Sequence, residues 1–513
     1  MAQPAKSASL TTVDEYPSFP KRSSPTAKTP TPSTTGYNLE KIVPLTNDHR
    51  TLVLCFDGTG DQFDDDNSNV VNFFTMLEKD SSKQLVYYQA GIGTYTIPEV
   101  AHPKLAKLHR AIDAMLGSHL NAHVMGGYEF LMQNYEFGDK ICLFGFSRGA
   151  YVGRTKCFIL YRALLNTVKT ACALAGMLHK VGLLPKCNHQ QVPFAYKMYS
   201  REDEKGWKQS MAFKKAFSID VDIEFLGVWE TVGSVGFFPR RLPFTRSNTN
   251  VRYFRHALAL DEHRARFQPN FWNRPTKEEL QLGLQAGEMP KSRPPPHEKK
   301  SLRDLERQYS DGGQYLTHVE EVWFAGCHCD VGGGALKNAA RNSLARIPLR
   351  WMIRQCFQLG TGILFHAEMM RSVGLDPDTL YPHVLPRPPP LLVKAPERPG
   401  SQSGSTTNTM ASISNFVNEE EEDMADALTS VNDELKRAKV WWILEILPMR
   451  LRYQEKDDSW TQKLHVHRGQ GRHIPRQSTH GVKIHRTVKM RMEALGYKPN
   501  ANLRATTEPT WID

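Results

Sequence analysis

Gly145-Phe146-Ser147-Arg148-Gly149 fits the pattern G-x-S-x-G, directly after the apolar run KICLF and before helix-compatible sequence beginning AY. In that setting the pattern predicts a sharp strand-to-helix turn. Glycines on either side let neighbouring elements approach, and the Ser147 hydroxyl is presented above the sheet edge. The positive dipole end of the following helix favours negative charge developing at the same spot. The chemistry this suits is nucleophilic attack by a serine. A serine hydroxyl is a poor nucleophile unaided, so an orienting carboxylate and a base must follow in the chain.

Two later apolar runs end in such residues. Ile223–Trp229 (IEFLGVW) leads into Glu230, and Glu321–Ala325 (EVWFA) leads into Gly326-Cys327-His328. His328 is the better placed base, because the loop Asp330-Val331-Gly332-Gly333-Gly334 behind it gives backbone freedom near a substrate. Glu230 is the better placed acid. Asp330 competes for that role, although two residues from His328 is an awkward spacing for orienting its ring. RHALALDEHRARF, holding His256, Asp261 and His263, reads as an amphipathic helix lining the site, with His263 as an alternative base.

After the first apolar run, Thr51–Phe56, comes Asp57-Gly58-Thr59-Gly60. A turn of this kind offers an oxyanion N–H from Gly58 or Thr59, to be paired with the N–H of Arg148. It is not a phosphate-binding loop, for the lysine and its spacing are missing. Asp61, Asp64, Asp65, Asp66 and Asn67 read as an exposed acidic loop rather than a divalent-ion site. The eight cysteines show no zinc or disulfide spacing, and Cys327-His328-Cys329 lacks a second ligand pair. No metal and no cofactor are expected, and a reducing compartment follows.

The elements that must position these residues are five apolar runs: Thr51–Phe56, Gln84–Gln89, Lys140–Phe146, Ile223–Trp229 and Glu321–Ala325. Their near-continuous hydrophobicity suits strands buried on both faces of a parallel sheet. Between the second and third, Pro103–Asn134 carries Leu105, Leu108, Ile112, Met115 and Leu116 at helical spacing. The alternation predicts an α/β fold built on a doubly wound, mostly parallel sheet. Four regions are expected. Residues 1–46 form a disordered Ser/Thr/Pro-rich tail, and 47–375 the catalytic domain. Residues 376–424 form a flexible Pro/Ser-rich and acidic linker, and 425–513 a helical, basic accessory segment. Within the last, Ala425 to Tyr453 reads as one helix ending near Pro448.

The net charge of +11 is spread over 513 residues. It is compatible with peripheral contact at an anionic membrane, while nucleic acid binding has only composition behind it and is not expected. The N-terminus has no signal-peptide core, and the most apolar stretch, Cys157 to Leu184, is broken by Arg162, Lys169 and Lys180. A cytoplasmic protein is expected.

Taken together, LVLCFDGTG, QAGIGT, LFGFSRGAY, FLGVWETVGSVG, HALALDEHRARFQP and VWFAGCHCDVGGG resemble one family, from about Thr51 to Leu375. It is the α/β-hydrolase domain of type VI secretion phospholipase effectors, formerly catalogued as a domain of unknown function, and WWILEILP resembles fungal members. The resemblance implies an α/β-hydrolase-like sheet and an esterase, lipase or phospholipase acting on a small-molecule or lipid ester. It also implies a triad of Ser147, the acid after GVW, and His328. Two features depart from the family pattern. The acid is usually aspartate, and here it is Glu230. Val152 to Lys169 also intervenes between GFSRGAY and TACALAGMLHKVGLLP, an insertion of about 18 residues of the length of a short retained intron. A chain whose catalysis is lost through either departure would be an interaction module on the same fold.

Overall fold

Eight parallel strands make the sheet that carries the site. They are β1 Thr51–Phe56, β2 Gln84–Gln89, β3 Lys140–Phe146, β4 Ile223–Trp229, β5 Val251–Ala259, β6 His318–Phe324, β7 Lys483–His485 and β8 Thr510–Ile512. Their spatial order is β8-β7-β6-β5-β4-β3-β1-β2. A computed structural model of the chain describes residues 42–45, 47–58, 61–91, 118–146, 170–232, 242–245, 248–272, 306, 317–391, 418–454, 460–475, 481–503 and 508–513. All of them fall within one compact unit, Glu40–Asp513. The 1–46 tail (apart from residues 42–45), the insertion Val152–Lys169, and residues 103–117 of the expected helix lie outside the described residues.

Four of the five hydrophobic runs become interior strands, covered on both sheet faces, and Gln84–Gln89 becomes the half-buried edge strand β2. Along β1, Leu52, Leu54 and Phe56 enter one core while Val53 and Cys55 enter the other, the alternation a pleated strand imposes. Helices α2 (Ser118–Asn134) and α3 (Thr170–Val181) cover the first face. Helices α1 (Asn69–Met76) and α5 (Arg346–Gln358) cover the second. Every residue of α3 is buried, and a side chain at Gly145 would meet the Ala171 Cβ at 3.1 Å. The α3 N-terminus therefore packs against the last turn of β3, just before Ser147 in the chain.

Chain order reverses between β1 and β3. That switch point is where open parallel sheets leave a crevice beyond the carboxyl ends of their strands. Register aligns those ends: Phe56 pairs with Gly145, Phe146 with Trp229, Trp229 with Ala257, and Ala259 with Phe324. A doubly wound parallel sheet of α/β-hydrolase type is the result.

Three expectations are corrected. Of the segment read as an amphipathic helix, Arg255–Ala259 is the end of strand β5, inserted between β4 and β6, and Leu260–Phe267 continues as irregular chain. Its Ala, Leu, Arg and His content favours a helix weakly, and pairing on both edges outweighs that preference. Its buried polar residues have partners: Arg255 donates to Gln355 at 2.6 Å and His256 meets Thr231.

The acidic run assigned to a linker is helix α6 (Glu419–Ala427), with Glu419, Glu422, Asp423 and Asp426 buried along one face. They meet Arg346, Arg350 and Arg354, spaced four apart on α5, together with Arg387. A charge run is usually solvated, but here opposite charges at helical spacing on two elements neutralise each other. Nor is Ala425 to Tyr453 a single helix. Asp433 caps a new short helix, Glu434–Arg437, by accepting from Leu435 and Lys436. From Pro448 the chain turns into a hairpin, Pro448–Gln454 with Trp460–Val466. The accessory segment also contributes β7 and β8 to the main sheet.

Candidate active site

Of the residues expected to act, Glu230, His328 and Gly58 are described, whereas Ser147, Arg148 and Thr59 lie outside the described residues. Glu230 follows β4 directly and has a φ of 48°, a left-handed conformation costly for a side chain with a Cβ. Its amide donates to Ala257 O at 2.9 Å. The kink turns the side chain along the sheet edge, where the Ala259 amide donates to Oε1 at 2.6 Å.

His328 opens helix α4 (His328–Gly332) after β6. Cys327 is the N-cap, and Asp330 reaches back to accept from the Cys327 amide at 2.8 Å. Asp330 also accepts from the amide and side chain of Asn432. Burial pushes its carboxyl up to about 6, and it orients the loop rather than the imidazole. Burial raises the Cys327 and Cys329 thiols well above their ordinary range, so they remain protonated and inert.

The two predicted partners meet. His328 Nδ1–H donates to Glu230 Oε2 at 2.8 Å, with both side chains wholly buried. Glutamate in place of aspartate thus costs no reach. The imidazole lies between Phe146 and Phe267, at ring-centroid distances of 5.2 and 4.8 Å. Its Nε2 is buried without a hydrogen-bond partner among the described residues. Burial lowers the His328 pKa, against the opposing pull of Glu230, and leaves the ring neutral near pH 7.

Gly58 does not offer the donor expected of it, because its N–H donates to Asp57 Oδ1 at 2.8 Å. Asp57 also accepts from the Ser68 hydroxyl at 2.6 Å and the Tyr88 hydroxyl at 2.8 Å, which braces the loop leaving β1. The alternative base His263 has both ring nitrogens engaged, by Gly469 O and by Asp433 at 2.9 Å. Among the described residues, no three His, Cys, Asp or Glu side chains are grouped to hold a metal ion.

One residue of the site had no mark in the sequence. Arg472 reaches Glu230 with both guanidinium prongs, Nη1 to Oε1 at 2.7 Å and Nη2 to Oε2 at 2.8 Å, and is itself wholly buried. Burial alone would raise the Glu230 carboxyl; the Arg472 charge and the His328 and Arg472 bonds outweigh it and hold the pKa at about 2. In HRGQGRH nothing distinguishes Arg472 from the cations around it. Nearby, Glu262 pairs with Arg264 at 2.7 Å and accepts from the His328 amide at 3.3 Å, fixing the start of α4.

Known proteins resemble this chain. An uncharacterized protein of Saccharomyces cerevisiae, YEL023C, is 26% identical over 562 aligned residues, covering 86% of this chain and 79% of that protein. A solved structure, described as the Tle1 effector bound to the VgrG spike from the type 6 secretion system, shares 14% identity at a TM-score of 0.22. That alignment covers 57% of this chain and about half of the other, 52%. The family model for the catalytic domain of Tle1-like phospholipase effectors of the type VI secretion system matches residues 50–355, which include Glu230 and His328. With well over half of its length inside that match, the chain belongs to the Tle1-like phospholipase effector family.

Proposed function

We propose that the chain is a serine hydrolase of lipid acyl esters, phospholipids foremost, working through Ser147, His328 and Glu230. The observation that carries this reading is the state of His328: Nδ1 is held by Glu230, Nε2 is buried with no hydrogen-bond partner among the described residues, and the ring lies on Phe146. Phe146 is the residue immediately before Ser147 in the chain. A neutral imidazole fixed through Nδ1 is the form a general base requires.

In this reading Nε2 takes the Ser147 hydroxyl proton as Oγ attacks the ester carbonyl. It then passes that proton to the departing alcohol as the carbon–oxygen bond breaks. Water, deprotonated by the same nitrogen, releases the acid and restores the serine. The amide of Arg148, with that of Thr59, is the donor set we assign to the oxyanion, since the Gly58 amide is taken by Asp57.

A lipid substrate calls for contact with a membrane surface. In the accessory segment Trp442, Ile443, Ile446 and Leu447 are exposed, and the exposed cations Lys439 and Arg468 flank them in the same segment. Apolar side chains beside cations suit an anionic bilayer. Among the described residues no helix is long and apolar enough to cross a membrane.

A fluorophosphonate probe tests the reading. The chain should be labelled covalently, and Ser147→Ala should abolish labelling. A folded wild-type chain that takes no label would instead indicate an interaction module with the same fold.

A further inference from the structure

We propose that Arg472 is a positioning residue for the catalytic acid, supplied from outside the family's catalytic segment. The inference rests on the triad reading above and deepens it. The matched segment ends at residue 355, whereas Arg472 lies 242 positions beyond the carboxylate it holds.

The geometry is that of a clamp. A carboxylate at the end of a strand, one methylene longer than the aspartate usual in the family, has an additional torsion to fix. Arg472 fixes it by a two-pronged pairing, and the Ala259 amide adds a third donor. Oε2 then has one remaining direction in which to meet His328 Nδ1. A planar guanidinium suits this task because both prongs bond at once, which a lysine ammonium cannot reproduce.

The clamp is itself held. Nη1 donates to Ala259 O at 3.0 Å and Nη2 to Phe267 O at 2.5 Å, so the guanidinium bridges the end of β5 and the loop carrying the ring that packs on His328. The Arg472 carbonyl accepts from the Asn502 amide at 2.8 Å, and the Ala501 amide donates to Leu260 O at 2.8 Å. At Gly471 any side chain would run into Asn500 O, at 1.6 Å. Asn500 and Tyr497 are in turn bonded to Asp261, which also accepts from the Gly326 amide two residues before His328. The accessory segment thus holds the acid through Arg472 and the approach to the base through Asn500 and Tyr497.

A bulk-charge role and a positioning role predict different outcomes. The readout is the second-order rate of fluorophosphonate labelling at Ser147 in the full chain, for R472K and R472M in wild-type and E230Q backgrounds. Melting curves confirm that each variant is folded. In the wild-type background, R472K keeps the charge but loses the fork, and labelling should slow about 10-fold; R472M should slow it about 100-fold, the range typical of residues that orient a working side chain. In the E230Q background neither change should slow labelling further, since the group Arg472 positions is already disabled. A wild-type rate in folded R472K overturns the proposal. So does an equal loss from R472K in both backgrounds, which would mark a general structural role. If R472M does not fold, the R472K comparison decides alone. Absence of labelling in the wild-type chain, or labelling that survives S147A, would instead overturn the triad reading and this inference with it.

Discussion

The imidazole of His328 lies against the ring of Phe146, with centroids 5.2 Å apart and planes inclined by 33°. Phe146 ends the strand that leads into Ser147, so the proposed base is registered on the residue that precedes the proposed nucleophile in the chain. Gly332 makes this possible. A Cβ there would sit 1.7 Å from the Phe146 ring, closer than any real contact.

Gly332→Ala should therefore push α4 away from Phe146. Overpacking at a buried contact of this kind costs about 1–3 kcal/mol. We expect a lower melting temperature and slower Ser147 labelling together, and a crystal structure of the variant should show His328 displaced. Unchanged labelling would mean that the Phe146 contact does not register the base.

Glu230→Gln removes the charge that holds the imidazole while keeping the side chain's size. Replacing the acid of a serine triad by its amide lowers kcat by about 10⁴-fold. The amide has only one accepting oxygen, so one prong of Arg472 and either the Ala259 amide or His328 lose their acceptor; a loss of about 10⁴-fold is expected here, with KM little changed. Esterase assays on phospholipid vesicles, lysophospholipids and short p-nitrophenyl esters read this directly, and also rank the substrates.

The pH profile carries a sign. Burial holds the His328 pKa below its ordinary value, against Glu230 and Glu262 on one side and with Arg264 on the other. A general base acts neutral, so kcat/KM should rise with pH, with its midpoint below about 6.5, the ordinary histidine value, and then level off. Stability follows the same sense. The unfolded chain takes up the proton that the buried ring refuses, so the His328 contribution is present above the ordinary value and shrinks as pH falls below it. The Glu230 carboxylate, held at about 2, contributes stability above about 4.3 that is lost as pH falls toward 2. An activity midpoint above 7 would contradict a buried, neutral base.

The pairing of α5 with α6 predicts a non-additive response. Asp423 is wholly buried between Arg350 and Arg387, at 2.6 and 2.9 Å. Asp423→Ala should destabilise by about 3–5 kcal/mol, because it strands buried guanidinium charge. Asp423→Leu combined with Arg350→Met should recover part of that loss. Urea unfolding of the single and double variants measures the coupling.

Replacing Trp442 and Ile446 by serine should weaken association with anionic vesicles while leaving the hydrolysis of a soluble short ester unchanged. Co-flotation with vesicles rich in phosphatidylserine, at two salt concentrations, is the measurement. Equal flotation of variant and wild type would place the membrane-facing surface elsewhere.

Much of the site was legible because a parallel sheet imposes a simple rule. All strands run one way, so whatever follows each apolar run arrives at the same edge. Glu230 after IEFLGVW and His328 after EVWFA could be named as partners on that ground alone, and they are bonded at 2.8 Å. The β5 segment was misread because its composition fits a helix and its identity as a strand comes only from the neighbours it pairs with. Gly58 was read as a donor because sequence shows that an N–H exists, not that Asp57 bends back to take it.

By itself, the sequence determined five of the eight strands, their common direction, and the chemistry offered at their carboxyl ends, because hydrophobic runs and the residues that follow them are local features. Only the tertiary structure decided which charges neutralise which. Arg472 reaches Glu230 across 242 positions, and Arg350 reaches Asp423 across 73. Buried ion pairs have no sequence period and no fixed separation, since they are set by where desolvated charges must find partners once the chain has closed.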